Sequence, residues 1–164
     1  MIHKQCDMEK HEKFLKQAIE MAKHNVNDGF GGPFGALVVK DGEVVGKGVN
    51  LVTSSNDPTA HAEIVAIRDA CKNLDSFQLD DCILYASCEP CPMCLGAIYW
   101  ARPKMLIFAA GHNDAAKAGF DDSFIYEEIK APYDKRKIKT VKIQPDNYFS
   151  PFEEWIENEN KIKY

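Results

Sequence analysis

The sequence predicts an α/β fold, a mixed sheet with helices on both faces. Three observations carry this. Helical amphipathic runs alternate with short apolar runs of strand length. Two strand-like runs meet at Asp41-Gly42, a strong hairpin signal. Two others are separated by a helix-length segment, and a strand–helix–strand crossover implies a parallel pair covered on both sides. The 164 residues make one domain, and 45% hydrophobic with 27% charged residues is an ordinary globular balance. No apolar run reaches the length of a membrane span. Residues 1–7 lack the apolar core of a signal peptide, so a cytoplasmic location is expected. The net charge of −5 favours a small substrate over a polynucleotide, whose binder would carry a basic face.

Residues 8–27 read as the first helix. Phe14, Leu15, Ala18, Ile19, Ala22 and Val26 recur at helical spacing between charged residues. Glycines in residues 28–33 then break the helix. Residues 34–39 and 43–49 form the hairpin. A polar loop, 53–59, leads to Thr59, a candidate N-cap for a helix over residues 60–72, with His61 and Glu63 in its first turn. Residues 82–86 are a short buried strand. Residues 91–101 are a helix started by Pro90 or Pro92 and stopped at Arg102-Pro103. Residues 104–109 are another strand. A short helix over 112–118, a helix from Ser123 through Lys130, a candidate last strand over 141–143 and a helix from Ser150-Pro151 complete the chain. The basic run 135–139 reads as a solvated loop.

The chemistry concentrates in two stretches, His61-Ala62-Glu63 and Pro90-Cys91-Pro92-Met93-Cys94. Two thiolates and an imidazole suit tetrahedral Zn²⁺ and leave its fourth position to water, the open arrangement of a catalytic site. Glu63, two residues after the histidine, is placed to move a proton. A CxxC alone also suits redox chemistry, and free cysteines often serve as small buried hydrophobes. Together, the two stretches match the signature of zinc-dependent nucleobase deaminases. Six cysteines in a chain without a secretory signature read as reduced thiols. Cys88 also makes a CxxC with Cys91. Cys91 and Cys94 are preferred because they share one helical turn, and a fourth protein ligand would close the metal to water.

On these motifs the chain resembles the cytidine-deaminase-like zinc deaminases, and within them the bacterial guanine deaminases. The most telling stretches are residues 55–63, 94–102 and 115–126; the zinc motif marks the superfamily, and the segment Gly119-Phe120-Asp121-Asp122 with the C-terminal tyrosine marks the subgroup. The resemblance covers nearly the whole chain. It implies a three-layer α/β/α fold with a central mixed five-stranded sheet. It makes His61, Cys91 and Cys94 zinc ligands and Glu63 the proton shuttle, with Asp122 also catalytic. It has Asn50 and Asp122 bind guanine, Phe34 and Trp100 flank its ring, Ala62 line it and Tyr164 close the pocket. It also implies a homodimer, with residues from about 120 to 164 exchanged between subunits and no nucleic-acid or membrane partner. The residues make chemical sense of this. Guanine presents two donors at N1 and its 2-amine, and an ionised carboxylate only accepts. Asn50 offers both a donor and an acceptor to the other edge. Taken alone, Asp122 and Asn50 read as turn or cap residues, Phe34 and Trp100 as core aromatics and Tyr164 as a frayed terminus. Deaminases of guanosine, cytosine or another base, a tRNA adenosine deaminase and a non-enzymatic zinc module are the alternatives.

Overall fold

The strand β1 (Gly35–Lys40) is buried along nearly its whole length, on both faces. Its side chains alternate between two cores. Ala36 and Val38 join one, and Leu37 and Val39 the other. A strand apolar on successive residues must be covered twice, which fixes the layering. The computed structural model describes residues 2–164, with side chains from Met8 onward, so the Cys6 side chain lies outside it. The chain divides into two units, Met1–Asp122 and Ser123–Tyr164.

In the first unit, α1 (Ile2–Asn27) precedes β1, which pairs antiparallel with β2 (Glu43–Val49). The connecting Asp41 and Gly42 have φ of 51° and 85°. That left-handed pair is what a two-residue hairpin turn demands. A single turn, α2 (Val52–Ser55), and α3 (Ala62–Leu74) follow, then β3 (Ile83–Cys88), α4 (Pro92–Ala101), β4 (Met105–Ala110) and α5 (His112–Lys117). The sheet order is β2-β1-β3-β4, with β1–β3 antiparallel and β3–β4 parallel. Phe14 and Ala18 of α1 pack on Leu37, Val39 and Tyr85. Ala62, Ala66 and Ala70 of α3, with Ile98 and Ala101 of α4, pack on Ala36, Val38, Leu84 and Ala86. The three layers are therefore present.

Helix α3 lies unusually close to the sheet. Its alanines recur every fourth residue, and β2 answers with Gly46 and Gly48. A Cβ at Gly46 would sit 2.5 Å from the Ala66 carbonyl oxygen and 2.6 Å from the Ala70 Cβ. A Cβ at Gly48 would overlap the Ala62 carbonyl and the Ala66 amide nitrogen. Only glycine permits this contact.

Three sequence expectations change. The described sheet has four strands, not five, because residues 141–143 are not a strand. They lie in the second unit, which has no strand to complete a ladder, and Val141 and Ile143 are exposed. Thr59 does not cap α3. Its amide and hydroxyl donate to Asp57 Oδ1 at 2.8 and 2.7 Å, closing a local turn. His61 is instead the N-cap, extended at φ −70°, ψ 156°, so it precedes the first turn.

The second unit holds α6 (Ser123–Lys130), a 3₁₀ turn (Tyr133–Lys135) and α7 (Ser150–Glu157). Arg136 lies over the Tyr133 ring at 4.7 Å and its Nε donates to the Ala131 carbonyl. Phe149 stacks on Phe152. None of its residues is buried. No described helix is long and apolar enough to cross a membrane.

Candidate active site

Strand register gathers the chemistry at one end of the sheet. Ala36 pairs with Ala86, Gly35 with Val49 and Cys88 with Ala110. Phe34, Asn50, the turn after Cys88 and the start of α5 therefore leave the sheet at the same end. Helices α3 and α4 begin there too, with His61 and Cys91 as their N-caps and Cys94 in the first turn of α4. Pro92 at the first helical position sets the direction of α4.

His61 Nδ1 lies 3.5 Å from Cys91 Sγ and 3.5 Å from Cys94 Sγ. All three ligand atoms fall within 4.8 Å of one another. Sulfur and nitrogen ligands of a tetrahedral zinc stand about 3.6 Å apart, given bonds of about 2.3 and 2.0 Å. The trio fits that ion. The Cys91 thiol is held down to about 4, first by the hydrogen bond from Cys94 and then by His61. Cys94 goes up as the partner that keeps its proton, helped by burial. The pair thus gives its first proton readily, and a dication would draw off the second. His61 is held above its usual range, chiefly by Cys91. Glu63 is 7% exposed, and burial pushes its carboxyl up.

A second cluster adjoins the turn before Cys91. The His112 amide donates to Glu89 Oε2 at 3.2 Å, and its ring Nε2 lies 3.1 Å from Glu89 Oε1. The other ring nitrogen, Nδ1, is 3.5 Å from Asp122 Oδ1. On the far side of the sheet end, Asn50 is buried. Its Oδ1 accepts from the amides of Gly32 and Val52, both at 3.3 Å. The sequence left Asn50 with a donor and an acceptor to offer. The fold occupies the acceptor and leaves the Nδ2 donor.

Residues 8–110 match the family model for the cytidine and deoxycytidylate deaminase zinc-binding region. The chain belongs to that deaminase family. It is 60% identical to guanine deaminase of Bacillus subtilis (strain 168), over 94% of this chain and 99% of that one. The crystal structure of guanine deaminase from Bacillus subtilis matches with a TM-score of 0.92, covering 94% of this chain and 98% of that chain. A structure of guanine deaminase from Nitrosomonas europaea matches at 30% identity and a TM-score of 0.63, covering 86% and 70%. A tRNA-specific adenosine deaminase of Aquifex aeolicus is 44% identical over 60% of this chain and 65% of its own.

The remaining residues that the sequence singles out in this deaminase sit as follows. Phe34 meets Phe120 edge-on at 4.9 Å. Ala62 is buried at the start of α3. Trp100 is 65% exposed, about 120° round α4 from Cys94, so it is not a core residue of its own unit. Tyr164 belongs to the second unit, where its ring meets Trp155 at 6.4 Å. Cys88 is outside the ligand trio. Its thiol faces the Gly111 carbonyl at 3.9 Å, and burial pushes it up.

Sequence reasoning missed Asn25, Ser87, Glu89 and His112. Asn25 Nδ2 donates to the carbonyls of Gly32 and Asn50 at 3.0 and 2.9 Å, stapling the glycine loop to the Asn50 strand end. Ser87 Oγ accepts from the Gly35 amide at 3.0 Å. These bonds join residues 7 to 52 apart in the chain, and no local pattern announces them. The signal for Glu89 and His112 was only adjacency to Cys91 and to a helix start.

Proposed function

We propose that the chain catalyses the hydrolytic deamination of guanine to xanthine and ammonia. The observation that carries this is near full-length similarity, at 60% identity, to a guanine deaminase. The chemistry of the trio and of buried Glu63 agrees with it. We assign His61, Cys91 and Cys94 as zinc ligands. Zinc at such a site supplies a water acidified to near neutral pH and a Lewis acid. Glu63, made more basic by burial, takes the proton of the attacking water and delivers it to ring nitrogen 3 of guanine. Oxygen adds at carbon 2. The tetrahedral centre then collapses: Glu63, having released its first proton to N3, takes the proton of the new C2 hydroxyl and passes it, directly or by way of Asp122, to the 2-amine, and the C2–N bond breaks to release ammonia as C2=O forms.

Asp122 accepts from N1–H and the 2-amine. A base with a ring acceptor beside its amine, such as adenine or cytosine, would face a repelling carboxylate, a mismatch worth about 10⁴ or more in discrimination. Asn50 donates through Nδ2 to an acceptor on the opposite edge. Phe34 and Trp100 flank the ring, and Ala62 lines it. Such chemistry belongs to purine breakdown or salvage, and the reduced thiols of the site suit the cytoplasm. The deciding experiment incubates zinc-loaded protein with guanine, guanosine, adenine and cytosine and scores ammonia. Guanine alone should turn over well. Preference for another base, or for a tRNA substrate, would reject the assignment.

The active form is a homodimer in which the second unit, with Tyr164, closes the site of the other copy. The second unit has no core of its own, yet carries Phe124, Ile129, Phe152, Trp155, Ile156 and Tyr164 exposed. Apolar surface on that scale seeks a partner. Mixing and refolding an inactive Glu63→Ala chain with one lacking Tyr164 should restore activity in the heterodimer. No restoration would remove the exchange.

A further inference from the structure

We propose that His112 is a positioning residue that holds the Asp122 carboxylate in the orientation that reads the base, with Glu89 fixing the histidine ring. This rests on the assignment of Asp122 as the base-reading carboxylate.

Parallel pairing of Cys88 with Ala110 sets Glu89 beside Gly111, and the Glu89 amide donates to the Ala110 carbonyl at 2.8 Å. The Glu89 side chain then reaches His112 twice, through the backbone amide at 3.2 Å and through ring Nε2 at 3.1 Å. These contacts fix the first residue of α5 and its ring plane against the turn that carries Cys91. Each ring nitrogen faces a carboxylate oxygen, Nε2 that of Glu89 and Nδ1 that of Asp122. Nδ1 stands 3.5 Å from Asp122 Oδ1, and catalytic hydrogen bonds are often long in a site without substrate. Oδ2 is left for the N–H donors of the base. Asp122 lies outside both helices, after α5 (His112–Lys117) and directly before α6 (Ser123–Lys130), so its carboxylate depends on a side-chain restraint. His112 and Glu89 supply that restraint, and they tie the base-reading carboxylate to the ligand-bearing turn.

The test is a cycle of zinc-loaded wild type, His112→Leu, Asp122→Asn and the double variant, with His112→Gln as the conservative control. KM and kcat for guanine, zinc content and melting temperature are read for each. His112→Leu should raise KM about tenfold or more while zinc content stays the same. His112→Gln, whose amide can still donate to Asp122, should recover most of that loss. On the Asp122→Asn background, His112→Leu should change the residual kcat/KM less than twofold. A wild-type KM in His112→Leu, or the same fold-loss on both backgrounds, overturns the proposal and leaves the Asp122 assignment standing. Near-normal turnover by Asp122→Asn overturns both. If His112→Leu does not fold, Glu89→Gln replaces it in the cycle with the same expectations.

Discussion

Replacing Gly48 by alanine tests how α3 positions the site. The new methyl would overlap the Ala62 carbonyl and the Ala66 amide, and it would lie 3.0 Å from the Val65 Cβ. Two of these neighbours are helix backbone, which cannot rotate away. The first turn of α3 must therefore recede by about 1 Å to restore ordinary contact. Overpacking of this kind costs about 1–3 kcal/mol. For a chain of this size that lowers Tm by roughly 2–12 °C. The functional loss should be larger in proportion. Glu63 lies in that turn and His61 caps it, and a misplacement of about 1 Å can reduce turnover on the order of 10²-fold. The assay pairs a thermal melt with steady-state ammonia release and zinc content. Gly48→Ala with unchanged Tm and unchanged kcat would refute the argument that close helix–sheet contact sets the site.

Other substitutions separate chemistry from stability. Glu63→Ala should retain zinc but lose nearly all guanine turnover, and substantial residual turnover would reassign the proton shuttle. Burial raises the Glu63 carboxyl, so folding favours its protonated form. Its stabilising contribution is complete below the usual carboxylate range and is lost as pH rises through the raised value. In zinc-free protein, Glu63→Gln should therefore raise Tm near neutral pH and change it little near about pH 4, as melts at the two pH values would measure. Asn50→Asp keeps an oxygen for the Gly32 and Val52 amides but removes the Nδ2 donor. It should raise KM for guanine about tenfold or more while the protein still binds zinc. Asp75, the C-cap of α3, has φ of 48°, and Asp75→Gly should add about 0.5–1 kcal/mol in urea unfolding without altering KM.

The trio was legible because its pattern is local. A histidine two residues before a glutamate, and cysteines three apart behind a proline, are set by helix starts close at hand. The α1 stripe and the Asp41-Gly42 hairpin were legible for the same reason. Residues 141–143 misled because an apolar alternation does not reveal whether a partner strand exists. Thr59 misled because Asp57 competes for its hydroxyl and amide. Trp100 read as a core aromatic when taken alone, because composition does not say which side of α4 meets the sheet.

The sequence by itself determined the His–Cys–Cys trio, the glutamate two residues after the histidine and the layered alternation of helix and strand. Each follows from residue type and short spacing. The tertiary structure alone decided that Asn50 is left with only its donor, that Glu89 grips His112, that His112 faces Asp122 and that α3 settles onto two glycines. Those outcomes depend on the register of β1 with β2 and β3, and of β3 with β4. Register is a long-range property fixed by which side chains fill both faces of the sheet at once. It joins residues tens of positions apart, which no local spacing encodes.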